Sequence, residues 1–283
     1  QQLGLFPVAF AAINKITLNG NGITSDSYNS HMLGVLSTTN GLYDPSKTST
    51  NGNVASVQGI VDPGNHTIVG SLYLGPTATY SGSQANVTGT IYNDYNVTFP
   101  PVSVPSPAGG WTAAVPVATL TGYSKKGVPQ YTYSYHFTST GNYLITGNYP
   151  VEIDAGVTAT MRVTASSFDM TGLTIHDGGN INNSGTAVFY MDGPSSISAA
   201  GNGAIDASGR PENLWIYGTP SLTTITFSGN AQFTGVIYAL QADIKLNGGG
   251  NNSLDVAGSV VVNSITDNGH FALHYDEYLS TLG

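Results

Sequence analysis

Gly70-Ser71-Leu72-Tyr73, Gly89-Thr90-Ile91-Tyr92, Gly235-Val236-Ile237-Tyr238 and Gly258-Ser259-Val260-Val261 are near-copies of one another. The first two glycines are 19 residues apart and the last two 23. A second echo runs Ile225-Thr226-Phe227-Ser228-Gly229, Ile244-Lys245-Leu246-Asn247-Gly248 and Ile265-Thr266-Asp267-Asn268-Gly269, with Ile16-Thr17-Leu18-Asn19-Gly20 repeating it near the N-terminus. A strand-plus-glycine unit that returns every twenty or so residues marks a stacked repeat architecture. Adjacent strand residues point to opposite faces. Leu72, Ile91, Ile237 and Val260 therefore form an inward column, with Tyr73, Tyr92 and Tyr238 outward. Ile225, Ile244 and Ile265 form a second inward column.

The reading extends outward to an all-β, right-handed β-helix (solenoid) of short strands over residues 1–283. Residues 1–66 are expected to be an irregular N-terminal cap with the first strands, and the apolar segment 3–12 to cover one end of the coil. Regular coil is expected over 140–283. Between them, residues 99–139 are an excursion, opened by Phe99-Pro100-Pro101-Val102-Ser103-Val104-Pro105-Ser106-Pro107. Proline cannot donate to a strand ladder, so this stretch lies outside the coil, as a solvated strap across its surface. Tyr131-Thr132-Tyr133-Ser134-Tyr135-His136-Phe137 alternates strictly and predicts a half-buried strand.

Composition narrows the function. Charged residues make up 8% of the chain, far below the roughly 25% of ordinary soluble proteins, as befits a secreted or cell-surface β protein. Seven Lys+Arg against 16 Asp+Glu cannot supply the cationic footprint that phosphate backbones require, which argues against nucleic acid and anionic membranes. The absence of cysteine removes disulfides, thiolate metal sites and a cysteine nucleophile. No apolar run is long enough to span a membrane, and nothing calls for a cofactor. The N-terminal residues lack the features of a signal peptide, so an export or anchoring segment is expected to lie outside this chain.

Phe6-Pro7-Val8-Ala9-Phe10-Ala11-Ala12, Ile16 to Asn21, Asp26-Ser27-Tyr28-Asn29-Ser30, Asn96-Val97-Thr98-Phe99-Pro100-Pro101, Phe233 to Ala239, Leu246 to Gly250 and Phe271-Ala272-Leu273-His274-Tyr275-Asp276-Glu277 together carry a resemblance. The chain resembles an uncharacterised bacterial β-solenoid domain of pilus-assembly and pseudopilin-like proteins, in which a hydrophobic N-terminal helix normally precedes the domain. The resemblance covers most of the chain and is weakest over Lys125–Tyr135 and Pro194–Arg210. It implies a solenoid fold, a bacterial source and association with a pilus or secretion apparatus, and it implies no chemistry.

Candidate chemistry is sparse. His270, His274, Asp276 and Glu277 form the densest ionisable group. His274 could serve as a general base oriented by a carboxylate, or His270, His274 and Asp276 as three metal ligands. The simpler account is a C-terminal cap that closes the last rung, with no catalytic residue and no metal. Glu152 and Asp154 share a strand face and could act as a carboxylate pair, although an alternating solvent face explains them as well. Arg162, Arg210 and Lys245 are too dispersed to judge as a set. Asp177-Gly178-Gly179-Asn180 is suggestive of a calcium loop but reads more simply as a solenoid turn. The Asn-X-Ser/Thr sequons are what an Asn/Thr-rich chain contains by chance.

The expectation is therefore a non-enzymatic structural or adhesive module, extracellular or at the cell surface. Tyr73, Tyr92 and Tyr238 are its candidate binding surface, and its partners a glycan, a protein or further copies of itself. The alternatives are a carbohydrate-active β-helix enzyme or glycan-binding domain and, less favoured, an ice-binding face built from residues such as Thr158, Thr160, Thr223, Thr224 and Thr226.

Overall fold

The computed structural model describes residues 8–20, 24–201, 205–206, 209–248 and 254–282. The fold is all-β, and among the described residues the only helical elements are four short 3-10 turns. One sheet has 19 strands and a second has five. Among the described residues all pairings between the ladder strands are parallel, and the antiparallel contacts are the hairpin of Val117–Tyr123 with Pro129–Phe137 and an isolated bridge between Ser27 and Ser49. Parallel neighbours one repeat apart are what a β-helix-like stack produces.

The first inward column runs in register through ten rungs: Tyr143, Met161, Phe189, Ile216, Ile237, Val260, Phe10, Val54, Leu72 and Ile91. Its eight inner members are at most 2% exposed. Ile91 is only half-buried, because it stands on the terminal rung with no further rung above it. The second inward column is Phe168, Ile197, Ile225, Ile244, Ile265, Ile16, Val61 and Tyr80. Both expected columns are present and continuous.

The echo glycines stand where rungs approach most closely. A Cβ on Gly258, whose φ is +128°, would lie 1.9 Å from the Gly235 carbonyl oxygen, and one on Gly248 would lie 2.0 Å from that of Gly229. Only glycine fits such contacts, which is why these positions repeat with the rung. Asparagine does the complementary work on the outside. Asn19 donates to Asn268 at 2.9 Å and Asn268 to Asn247 at 3.0 Å, an amide ladder across three successive rungs.

The rungs do not follow chain order. Phe10–Leu18 lies between Leu254–Asp267 on one side and residues 54–56 and 60–62 on the other. From the mid-stack strand Phe10–Leu18 the chain winds to one end at Ile91–Tyr92. It then crosses to the far end at Thr112–Ala113, beside Gly141–Ile145, and winds back to the middle. This corrects the expectation of a covering N-terminal segment. Residues 10–12 form a central rung because Phe10 and the small Ala11 and Ala12 complete columns that the C-terminal strand leaves open; residues 3–7 lie outside the described residues.

The crossing is made by the proline-rich stretch. Tyr95 donates its backbone N–H to Leu74, and its ring meets Tyr73 at 5.9 Å. Further on, Phe99 meets Tyr238 edge-on at 6.3 Å and the Tyr238 hydroxyl donates to the Pro100 carbonyl at 2.7 Å. Tyr95, Val97, Phe99, Val102 and Val104 turn toward the stack while their neighbours face solvent, the alternation of an extended chain with one seated side. Under it the outer column narrows to Ala55, Ala11 and Val261, each fully buried.

Candidate functional site

The outer column of the first face reads Leu144, Arg162, Tyr190, Tyr217, Tyr238, Val261, Ala11, Ala55, Tyr73 and Tyr92. Tyr73, Tyr92 and Tyr238 thus share one column, as the echoes imply, but not one environment. Tyr73 and Tyr92 stack at 5.0 Å with an interplanar angle of 11°, and Tyr92 is 41% exposed. Tyr238 is 2% exposed, which corrects its place as an open surface residue: the strap covers it. Beyond Val261, Ala11 and Ala55, Tyr190 and Tyr217 form a second stacked pair at 5.2 Å and 17° and, with Tyr238 and residues 100–103, line a cleft of about 210 Å³. Arg162 ends the run, held by Asp192 through two bonds of 2.8 and 2.5 Å.

The C-terminal group is not an end cap. Phe271–Asp276 has a strand on each side, Leu254–Asp267 and Thr24–Tyr28, so it closes a seam within the stack. Register puts His274 beside Asp26. His274 Nδ1 lies 2.5 Å from Asp26 Oδ1, and Nε2 lies 3.1 Å from Asp255 Oδ1. Tyr43 stacks on the imidazole at 3.6 Å and donates its hydroxyl to Asp26 at 2.8 Å. Burial opposes charge on His274, but the bonds to Asp255 and Asp26 outweigh it and raise its pKa above the ordinary imidazole value. A ring bonded to carboxylates through both nitrogens holds its proton firmly, which suits cross-linking the seam more than abstracting a proton. Burial, with the Asp26 carboxylate next, pushes the Tyr43 phenol up as well.

Asp276 is fully buried and accepts from Ser30 N–H at 3.0 Å, Ser30 Oγ at 2.7 Å and Tyr278 N–H at 3.2 Å. Glu277 accepts from Ser27 Oγ at 2.7 Å and Asn51 Nδ2 at 2.8 Å. His270 stands at the turn before the strand, its N–H donated to Gly248. Four residues along an extended strand separate it from His274 by roughly 13 Å, too far for a shared ion. Among the described residues no three His, Cys, Asp or Glu side chains gather as metal ligands would.

Glu152 and Asp154 each have a histidine that the sequence reading did not assign. His136 Nε2 lies 2.8 Å from Asp154 Oδ1, and His176 Nε2 lies 2.9 Å from Glu152 Oε1. His136 sits beside Glu152 in register, so reading the histidines at the rung spacing would have found them. Arg162, Arg210 and Lys245 are not brought together: Arg162 holds Asp192, Arg210 is buried beside Gly41 and Lys245 is exposed on the second face. Lys245 also interrupts the run Thr226, Lys245, Thr266, Thr17. In the candidate calcium loop, Asp177 caps Gly179 N–H and Asn180 caps Asn182 N–H, the bonds of a tight turn.

Ladder and site together define a β-helix-like protein with an aromatic outer face and histidine–carboxylate links between its rungs. Residues 125–282 match a domain of unknown function, DUF7305, and the chain belongs to that family. No curated protein and no solved structure matches it.

Proposed function

We propose that this chain is a right-handed β-solenoid that serves as a non-enzymatic structural or adhesive module, exported to the cell surface and associated with a pilus or secretion apparatus. The observation that carries the reading is the in-register outer column of stacked, uncharged tyrosines. Tyrosine rings offer a large apolar face with a polar tip, and a strip of them suits the broad stacking and hydrogen bonding of a glycan. With no charge on Tyr73 or Tyr92, such binding is insensitive to salt. Calorimetry with a panel of neutral and acidic glycans is the test. Weak binding, equal at low and high salt and lost in the Tyr73→Ala/Tyr92→Ala double variant, is expected; binding unaffected by the double substitution, or none across the panel, overturns the glycan reading.

A second reading, a carbohydrate-active enzyme, draws on one feature. Asp255 is about 42% exposed and opens with Thr24, Tyr43 and Pro45 onto a cleft at the seam. Product release from a polyuronate that disappears in Asp255→Asn, or in Glu152→Gln, would promote it.

A further inference from the structure

The net charge of −9 conceals a polarity. No carboxylate occurs between Asp94 and Glu152, and Lys125 and Lys126 are the only Lys or Arg between Lys47 and Arg162. That carboxylate-free stretch includes the hairpin of Val117–Tyr123 and Pro129–Phe137, which projects from the terminal rung. Directly opposed residues of a hairpin share a side, so Ala118 with Tyr133 and Leu120 with Tyr131 make one apolar stripe. The bulge between Leu120 and Gly122 returns Tyr123 to that same side, opposite Pro129. Tyr123 is 66% exposed and Tyr131 50%. Two strands standing alone in water are marginal, and this pair presents an aromatic stripe with a doubly cationic tip; Tyr133, near its base, meets Tyr149 at 6.0 Å, while Tyr123 and Tyr131 stand open.

The opposite end of the stack has the complementary character. Its last strand, Ile91–Tyr92, is paired on one side only among the described residues. Ile91 and Tyr80 are half-buried and Tyr92 is open. Asp94 follows just after this strand, and Asp62 stands two rungs in, on residues 60–62, which have 79–80 on one side and the strand that carries Lys15 on the other; no Lys or Arg occurs between Lys47 and Lys125. The tip of the arm and the Ile91–Tyr92 end are therefore both partly apolar and opposite in charge, while Glu152 and Asp154 lie at the arm's base, away from the tip.

We infer that the 117–134 arm docks onto the Asp62/Asp94 end of a second copy, so that copies stack head to tail. Two different surfaces meet in such a contact, and it grows into a chain of copies without closing. This names the partner for the structural reading above and rests on it; the two share Tyr92 at the acidic end, and the charge reversals below leave both Tyr73 and Tyr92 in place, so that the two readings can fail separately.

Sedimentation velocity of the full chain, over a concentration series at low and high salt, decides the matter. The wild type should form a growing series of oligomers that high salt weakens. Lys125→Glu/Lys126→Glu should weaken association about tenfold or more, since reversal turns two attractions into repulsions. Asp62→Lys/Asp94→Lys should do the same, with Asp94→Lys alone as the variant that spares the turn in which Asp62 accepts from Gly64 N–H. Mixing the two reversed proteins should restore association, because each then offers the end that the other lacks. A wild type that stays monomeric throughout the series overturns the proposal, as do association unaffected by either reversal and a failure of the mixture to recover. A monomer that still binds glycan through Tyr73 and Tyr92 sinks the head-to-tail contact alone.

Discussion

Acid should strengthen the seam, and Asp276 is the group that allows a magnitude. Burial, only partly offset by the two Ser30 bonds, pushes its carboxyl from 3.8 up to about 6. At about 1.4 kcal/mol for each tenfold change in proton affinity, the ionised form costs the folded state about 3 kcal/mol relative to the neutral acid. The sign follows from linkage. With the folded pKa above the unfolded one, the contribution is fully present below pH 4 and is lost as pH rises through about 6. His274 and His136 are also raised, so each adds stability below the ordinary imidazole pKa that is lost once pH passes its folded value. All three groups favour the fold at pH 5 over pH 8.

Asp276→Asn isolates the term. An amide oxygen can accept from Ser30 N–H and Tyr278 N–H, while the amide nitrogen donates to Ser30 Oγ, so every partner is kept without the charge. Urea unfolding at pH 3.5 and pH 7.5 should show the variant more stable than wild type by about 1–3 kcal/mol at the higher pH and close to it at the lower, with a flatter pH profile. A variant equally destabilised at both pH values would refute the reasoning. It would mean that the three donors favour the carboxylate more than burial disfavours it.

Gly258→Val drives a branched side chain into the Gly235 carbonyl and should cost several kcal/mol; a thermal midpoint near that of wild type would remove close rung stacking as the cause of the glycine echo. Tyr238→Phe deletes the bond to Pro100 and should cost about 1 kcal/mol, with faster proteolysis confined to the strap; unchanged cleavage of residues 96–108 would show that the hydroxyl does not hold it. Co-expressed fragments 1–107 and 108–283 should associate, because residues 10–18 ladder with 260–267 whether or not the strap is intact. Separate purification of the two fragments would count against a continuous seam.

Much of the ladder was legible because its cause is local. Each rung needs an inward aliphatic, an outward neighbour and a glycine where backbones meet, so those residues recur at the rung spacing. Rung order was harder. Nothing within twenty residues of Phe10 indicates that Val260 will lie beside it, since that pairing spans almost the whole chain. The signal was nevertheless present: Ile16-Thr17-Leu18-Asn19-Gly20 matches Ile265-Thr266-Asp267-Asn268-Gly269 at every position but Leu18/Asp267, as neighbouring rungs tend to when their amides and glycines stack. Tyr238 was misplaced for a related reason. Its column was right, but exposure depends on a strap that a repeat pattern does not encode. Charge was misjudged through averaging: a net −9 hides a stretch from residue 95 to 151 that holds two lysines and no acid.

The strap follows from the order of winding. A chain that has wound from the middle of the stack, at residues 10–18, to one end at 91–92 can reach the other end only by travelling back along the outside. From the Tyr73 rung to the Ala113 rung the outer column steps through nine spacings, or about 43 Å at roughly 4.8 Å each. Residues 95 to 112, extended at about 3.1 Å per residue as proline-rich chain prefers, span about 53 Å. That suffices for the distance and for the turn where Gly110 N–H donates to Pro107. The prolines at 100, 101, 105 and 107 hold the crossing extended at lower entropic cost and, lacking N–H donors, keep it from joining the sheet as a stray strand. Its buried side chains, in turn, need a shallow track, which Ala55 and Ala11 provide. The outward alanines of the central rungs thus leave room for the strap, so winding order, the composition of the central rungs and strap composition are one constraint met at three places in the sequence.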